Sequence, residues 1–199
     1  MDFSFLSGLT VYTENFIPVC VILVLICLLE WLVPRIIGFR SSASHQILKV
    51  VFAVYLLVLF EMTVSLRSLW RSYLSGWVLV GEQMWVPFQE IRSFVEYGSR
   101  EEVLYNLVGN VAGFLPMGLL PPLLWKWSRH PLAALAWAFL PSCVIEFLQL
   151  FTPRTTSVDD IILNAAGALL GYLCFWILHA FGIGKGTILV WKRKRKASG

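Results

Sequence analysis

The chain has 199 residues, of which 58% are hydrophobic and only 14% are charged, and its mean hydropathy is +0.73. This composition excludes an ordinary soluble domain and indicates an integral membrane protein. The formal net charge of +4 owes much to a basic run at 192–196, so it does not indicate a nucleic-acid partner.

Five apolar stretches approach the length of about 20 residues that a helix needs to cross the hydrocarbon core. Too little sequence remains outside them for a separate soluble domain. We therefore expect one membrane domain over 1–199, an all-α bundle of about five transmembrane helices. The predicted spans are 16–33, 47–64, 106–125, 131–151 and 161–181.

Lysine and arginine are unevenly distributed between these spans. They occur in the connections after the first and third spans and in the tail 185–199, whereas the other connections have nearly balanced charge. Because positively charged loops stay in the cytoplasm, these three segments are expected to be cytoplasmic. The prediction is a multi-pass protein with its N-terminus outside, its C-terminus in the cytoplasm and a basic tail that anchors this topology.

About forty residues separate the second and third spans, which is too long for an unstructured connection in a compact protein. In this outer segment, 65–105, apolar side chains recur at three- and four-residue steps over 66–77, and Arg67 and Arg71 lie on another face. The pattern predicts an amphipathic helix in the membrane interface. A second, weaker pattern covers 87–99. Together these pieces are expected to form a collar, a lid or a plug at the outer ends of the spans.

Polar side chains of the last three predicted spans fall near their outer ends, and their three- and four-residue spacing places pairs of them on one helix face. A membrane tolerates such groups only where they face one another or water. We therefore expect them to converge on a ligand-binding site, joined by Arg67 and Arg71 and by Glu61 at the end of the second span. Its other members are Asn106, Asn110, Glu146, Gln149, Arg154, Asp159, Asp160 and Asn164.

Each of these residues also has a structural interpretation. The two aspartates follow Thr156 and Ser157 with the spacing of a helix N-terminus, where a carboxylate is favourable. The asparagines can join neighbouring helices by hydrogen bonds. Glu146 and Arg154 can form a buried ion pair that sets the helix geometry. Glycines at close to four-residue steps in the third and fifth spans predict close helix packing.

The ordered combination of these motifs resembles the VanZ-like membrane protein family. The resemblance implies a bacterial cytoplasmic membrane protein associated with resistance to glycopeptides, especially teicoplanin and related lipoglycopeptides. Pro87-Phe88 is similar to an earlier element of that family, in which asparagine is often found where this chain has Val86. The matching motifs are Asn106-Leu107-Val108-Gly109-Asn110, Phe114-Leu115-Pro116-Met117-Gly118, Glu146 with Gln149, Arg154, Asp159-Asp160, and Asn164-Ala165-Ala166-Gly167.

Two functions compete at this point. The first is a polar pocket at the outer leaflet that binds a lipoglycopeptide, a membrane lipid or a cell-wall lipid precursor, with arginines that meet phosphate or carboxylate groups. The second is an intramembrane enzyme that modifies a lipid or a cell-wall lipid precursor. Its candidate catalytic residues are Glu146 or Asp160 as general base and Arg154 as the group that stabilises negative charge.

A transporter is less consistent with the sequence, because it needs polar groups through the inner half of the membrane and these are scarce. The three histidines fall on or near the predicted cytoplasmic side, away from the polar cluster. We therefore expect no metal ion and no cofactor.

Overall fold

The computed structural model describes residues 43–182 without interruption, the pairs 39–40 and 192–193, and the helical positions 21, 22, 24, 25, 28, 29, 32 and 36. Most of the predicted first span, 16–33, and most of the basic tail lie outside the described residues. The chain divides into two compact units, Met1–Val58 with Leu189–Gly199, and Leu59–Ile188. The candidate site belongs to the second unit.

The described residues contain four helices that are long and apolar enough to cross a membrane. They are α1 (Ala43–Thr63), a composite helix over Arg100–Leu124, α6 (Pro131–Gln149) and α7 (Val158–Ala180). These helices coincide with the second to fifth predicted spans. The predicted fold class, an all-α integral membrane protein, is therefore confirmed, while the first predicted span, 16–33, and the orientation of the termini stay predictions.

The remaining elements are short. The outer segment contains α2 (Leu66–Leu74) and α3 (Gln89–Tyr97). The composite helix consists of α4 (Arg100–Val103), a π-helical segment (Leu104–Val108) and α5 (Gly109–Leu124). The two-residue strands are β1 (Phe39–Arg40), β2 (Gln83–Met84), β3 (Thr156–Ser157) and β4 (Lys192–Arg193). β1 pairs with β4 in antiparallel fashion within the first unit.

The α5 and α7 helices approach each other through glycine. At three positions an added Cβ would clash with a backbone carbonyl oxygen of the other helix, so only glycine permits this contact. The close packing expected from the glycine spacing is therefore present here. A Cβ at Gly109 would meet open space instead, and one at Gly113 would make ordinary contact with the Leu59 side chain at 3.9 Å. The three contacts are Gly118 with Ala168, Gly167 with Val111, and Gly171 with Leu115.

The outer segment is attached to the turn between α6 and α7. β2 lies parallel to β3, with Gln83 opposite Thr156. The predicted amphipathic helix over 66–77 ends at Leu74, three residues early, because the backbone turns through positive φ at Gly76 (81°) and Trp77 (57°). The Trp77 ring then packs edge-on against Phe151, with 5.2 Å between the ring centroids.

Candidate functional site

Glu146 joins the end of α6 to the start of α7. Its side chain is buried, and its Oε2 accepts a hydrogen bond from the Ser157 backbone N–H at 3.0 Å. Ser157 is the N-cap of α7, because its hydroxyl oxygen accepts from the Asp159 N–H at 3.1 Å. Arg154 is exposed. Glu146 and Arg154, both of which the structure describes, do not form the buried ion pair considered from the sequence. Glu146 therefore stabilises the helix junction.

Asp159 holds the outer segment. It is 1% exposed, and its two carboxylate oxygens accept hydrogen bonds from three backbone N–H groups at the start of α3. Oδ1 accepts from Phe88, and Oδ2 accepts from Glu90 at 2.8 Å and from Ile91 at 3.0 Å. The first N–H groups of a helix have no partner within the helix and favour a negative charge. Asp159 thus caps α3 from a different helix, about seventy residues along the chain.

Asp160, the next residue, points elsewhere. Its Oδ1 accepts a hydrogen bond from the Asn110 side-chain amide, which joins the start of α7 to the composite helix. Gln149 approaches the same region from α6, and its Nε2 donates to the Thr63 carbonyl oxygen at 2.9 Å, at the end of α1. The structure therefore brings together polar residues from all of the spans that the sequence indicated.

Other predicted site residues have local partners. The Asn106 amide donates to the Glu102 carbonyl oxygen of its own helix at 2.9 Å. The Asn164 amide donates to the Ser142 hydroxyl at 2.9 Å, between α7 and α6. The Glu61 carboxylate accepts from the first N–H of α2, that of Leu66, at 3.0 Å. Glu61 and Asn164 therefore connect structural elements.

A cavity of about 890 Å³ lies where these elements meet. This volume is within the range of small-molecule sites. Neither Arg67 nor Arg71 nor Glu146 is among the described residues that line it. Apolar parts of the wall include Leu59, Met62, Leu104, Val108 and Phe114, and the polar parts include Glu90, Asn106, Asn110, Gln149, Arg154 and Asp160.

The composite helix forms one wall of the cavity through its π-helical segment, which carries Asn106. Such segments are rare and occur frequently at functional sites. The helix start is stabilised by a capping box, in which the Ser99 hydroxyl accepts from the Glu102 N–H at 3.2 Å and the Glu102 carboxylate accepts from the Ser99 N–H at 2.8 Å. The wall is thus held in place just before the irregular turn.

Glu90 and Glu101 line the cavity although sequence reasoning did not predict them, and Glu90 is the more buried of the two. It is half-buried in the first turn of α3 and lines the cavity, and its Oε2 is buried without a hydrogen-bond partner within residues 43–182. Burial raises the pKa of Glu90, a side-chain hydrogen bond with Ser157 opposes this change, and the negative charge of Asp159 raises the pKa further. The available sequence signal was the family-like Pro87-Phe88 element just before it.

The fold and the site define a class of protein, a multi-pass all-α membrane protein with a mixed polar and apolar cavity. In the described part of the chain, no group of three or more His, Cys, Asp or Glu residues is arranged to hold a metal ion. A profile of the VanZ/LLP1 family matches residues 47–179, which include every predicted site residue. The protein belongs to the VanZ/LLP1 family, as its motifs indicated. No curated protein and no solved structure matches the chain.

Proposed function

We propose that this VanZ-like membrane protein binds an amphiphile in the cavity and thereby contributes to glycopeptide resistance. Its family is related to resistance. The ligand is a lipoglycopeptide such as teicoplanin, a membrane lipid or a cell-wall lipid precursor. In the predicted topology the cavity lies at the outer leaflet. A drug bound there does not reach its target, and a precursor bound there is not accessible to the drug.

The observation that carries this proposal is the cavity of about 890 Å³ itself, whose wall includes a buried polar residue. Gln149 is only 5% exposed, and its amide nitrogen is occupied by Thr63, but its Oε1 has no hydrogen-bond partner in the described residues. A buried polar group without a partner costs roughly 1–3 kcal/mol. Gln149 thus lowers stability at this position, as residues of functional sites often do.

The composition of the wall supports an amphiphilic ligand. Leu59, Met62 and Phe114 provide apolar surface for a hydrocarbon tail, and Asn110 and Asp160 provide polar groups for a head. Ligand sites combine these two kinds of surface, with the apolar part supplying most of the buried area and a few polar groups setting the orientation.

The enzymatic alternative is less well supported by the geometry. Arg154 and Asp160 share the cavity, as an electrostatic stabiliser and a general base would. Glu146, the other candidate base, makes a hydrogen bond to the Ser157 backbone instead and is not part of the described cavity wall. Binding therefore needs fewer additional assumptions than catalysis.

A matched pair of alanine positions tests the proposal. Ala112 is exposed in the cavity wall, whereas Ala166 is exposed on α7 and is not among the described lining residues. Wild type, Ala112→Phe and Ala166→Phe are expressed at equal membrane abundance in a susceptible bacterium, and the inhibitory concentrations of teicoplanin and vancomycin are measured.

We expect wild type and Ala166→Phe to raise the teicoplanin concentration needed for inhibition more than that of vancomycin. Ala112→Phe places a bulky ring in the cavity and should bring the value close to that of the host. Full protection by Ala112→Phe would show that the cavity is not the relevant site, and no protection by wild type would remove the resistance function.

A further inference from the structure

The charged groups around the cavity are mostly acidic. Glu90, Glu101 and Asp160 line it, and Arg154 is the only Lys or Arg among the described lining residues. They come from three different parts of the chain: α3, the composite helix, and the α6–α7 turn with α7. A head group with only a negative charge would face three carboxyl groups and one guanidinium, which is an unfavourable arrangement.

The unpaired atoms of the wall are acceptors. Gln149 Oε1 and Glu90 Oε2 are both buried without a hydrogen-bond partner in 43–182, and only 5% of Gln149 is exposed to solvent. The amide nitrogen of Gln149 cannot turn toward the cavity without losing Thr63. Oxygens of this kind are satisfied by a group that donates hydrogen bonds.

A primary ammonium group meets both conditions. It carries a positive charge and three donors in a compact head, so it can pair with a carboxylate and donate to a neutral amide oxygen at the same time. A neutral hydroxyl supplies one donor and no charge, and a phosphate supplies acceptors only.

We propose that the cavity recognises an amphiphile through a primary ammonium head group, which lies beside the Glu90, Asp160 and Gln149 side chains of the wall. This inference rests on the proposed function, since it specifies the ligand of the same cavity. Arg154 then lies beside any anionic group that the same head carries, as in a zwitterionic phospholipid. The two possible sources of the ammonium are a membrane aminolipid and an amine-bearing lipoglycopeptide.

The test compares two phospholipids that differ only in the head. The full chain is purified in a neutral detergent, incubated with equal amounts of phosphatidylethanolamine and phosphatidylglycerol with identical tails, and analysed by native mass spectrometry for the lipid that it retains. The variants are Glu90→Gln, Asp160→Asn, Ala112→Phe and Ala166→Phe.

We expect wild type and Ala166→Phe to retain phosphatidylethanolamine over phosphatidylglycerol by about tenfold, since a hydrogen bond to a charged group contributes enough for that ratio. Glu90→Gln and Asp160→Asn should lower the ratio toward one, because each removes a negative charge but keeps an oxygen that accepts. Ala112→Phe should lose both lipids.

Different results contradict the ammonium preference and the binding of an amphiphile in the cavity. If Ala112→Phe loses lipid but wild type retains phosphatidylglycerol equally or better, the cavity binds amphiphiles and the ammonium inference is overturned. If Ala112→Phe retains as much lipid as wild type, the proposed function fails, and the ammonium inference fails with it.

A final arm distinguishes the two sources. An amine-bearing lipoglycopeptide and its N-acetylated form are each added to wild type loaded with phosphatidylethanolamine. Displacement of the lipid by the free amine and not by the acetylated form supports the inference with the drug as ligand. Retained phosphatidylethanolamine with the expected head-group preference supports it with the aminolipid as ligand, and equal displacement by both forms overturns it.

Discussion

Two neighbouring regions of the protein use the same residue types for opposite purposes. In the helix junction, formed by Glu146, Ser157 and Asp159, carboxylate oxygens are paired with backbone N–H groups. In the cavity wall, Glu90 and Gln149 each retain a buried oxygen without a partner within residues 43–182. The same residue types therefore differ in their partners between the two regions, and residue type alone does not distinguish the helix junction from the cavity wall.

The largest effect is expected from breaking the junction at Asp159. Asp159→Ala leaves three N–H groups of α3 without their acceptor, at a cost of roughly 2–5 kcal/mol in the stability of the docked segment. Amide hydrogen exchange should show faster exchange in α3 with little change in α5. The matched control is Asp160→Ala, which removes only the contact to Asn110. Equal protection of α3 in the two variants would contradict the assigned role.

A smaller loss is expected at Glu146. Glu146→Ala leaves the buried Ser157 N–H without its acceptor and should cost about 1–3 kcal/mol, measured as a lower melting temperature of the purified protein. Glu146→Gln keeps an oxygen at the same place and should be close to wild type. If the glutamine variant is as unstable as the alanine variant, the charge of Glu146 matters and the hydrogen-bond explanation is insufficient.

A gain is expected at Gly109, which belongs to the cavity wall. A Cβ at this position meets open space, and the residue has ordinary helical angles (φ −59°, ψ −47°). Gly109→Ala should therefore stabilise the helix by about 0.5–1 kcal/mol. Gly118→Ala is the contrasting control, because its Cβ would clash with the Ala168 carbonyl oxygen. Thermal unfolding of both variants measures the difference, and a destabilised Gly109→Ala would mean that this part of the wall is closed.

The smallest effect is a pH dependence at Glu90. Burial raises the pKa of Glu90 from its ordinary value of 4.5, so the folded state binds this proton more tightly than the unfolded state. The resulting stabilisation is fully present below 4.5 and is lost as the pH rises through the raised pKa. Solvent reduces the effect because the side chain is only half-buried.

Glu90→Gln should remove this pH-dependent stabilisation. The melting temperature of the variant minus that of wild type should therefore increase as the pH rises from about 4.5 toward neutrality. The acids that interact electrostatically with Glu90 are Glu146, Asp159 and Asp160, and they are unchanged in this variant. A constant difference between the two proteins at all pH values would contradict a raised pKa at Glu90.

The sequence was sufficient for the four spans that the structure describes, because length and apolar composition alone determine whether a helix can cross a membrane. It also placed Asn110, Gln149 and Asp160 in one cluster, since three- and four-residue spacing is a local property of a helix. The different roles of Asp159 and Asp160 could not be predicted. Adjacent residues of a helix point about 100° apart, and the sequence does not show which direction meets α3.

Glu90 was missed for a related reason. It reaches the cavity only because Asp159 holds the start of α3, and this contact joins residues about seventy positions apart. Long-range contacts of this kind leave no periodic pattern in a single sequence. The early end of α2 was missed because one positive-φ residue of the turn is Trp77, a residue type that rarely adopts this conformation.

The attachment of α3 through one carboxylate separates two residues of the cavity wall from the membrane scaffold. α3 contributes Glu90 and Phe94 to the cavity, and the spans contribute most of the remaining described wall. Since Asp159 binds only backbone N–H groups of α3, it accepts any sequence there that keeps the same backbone path. The residues at the positions of Glu90 and Phe94 are therefore free to change, so a protein with the same transmembrane helices can acquire a different cavity wall through a few substitutions in one nine-residue helix.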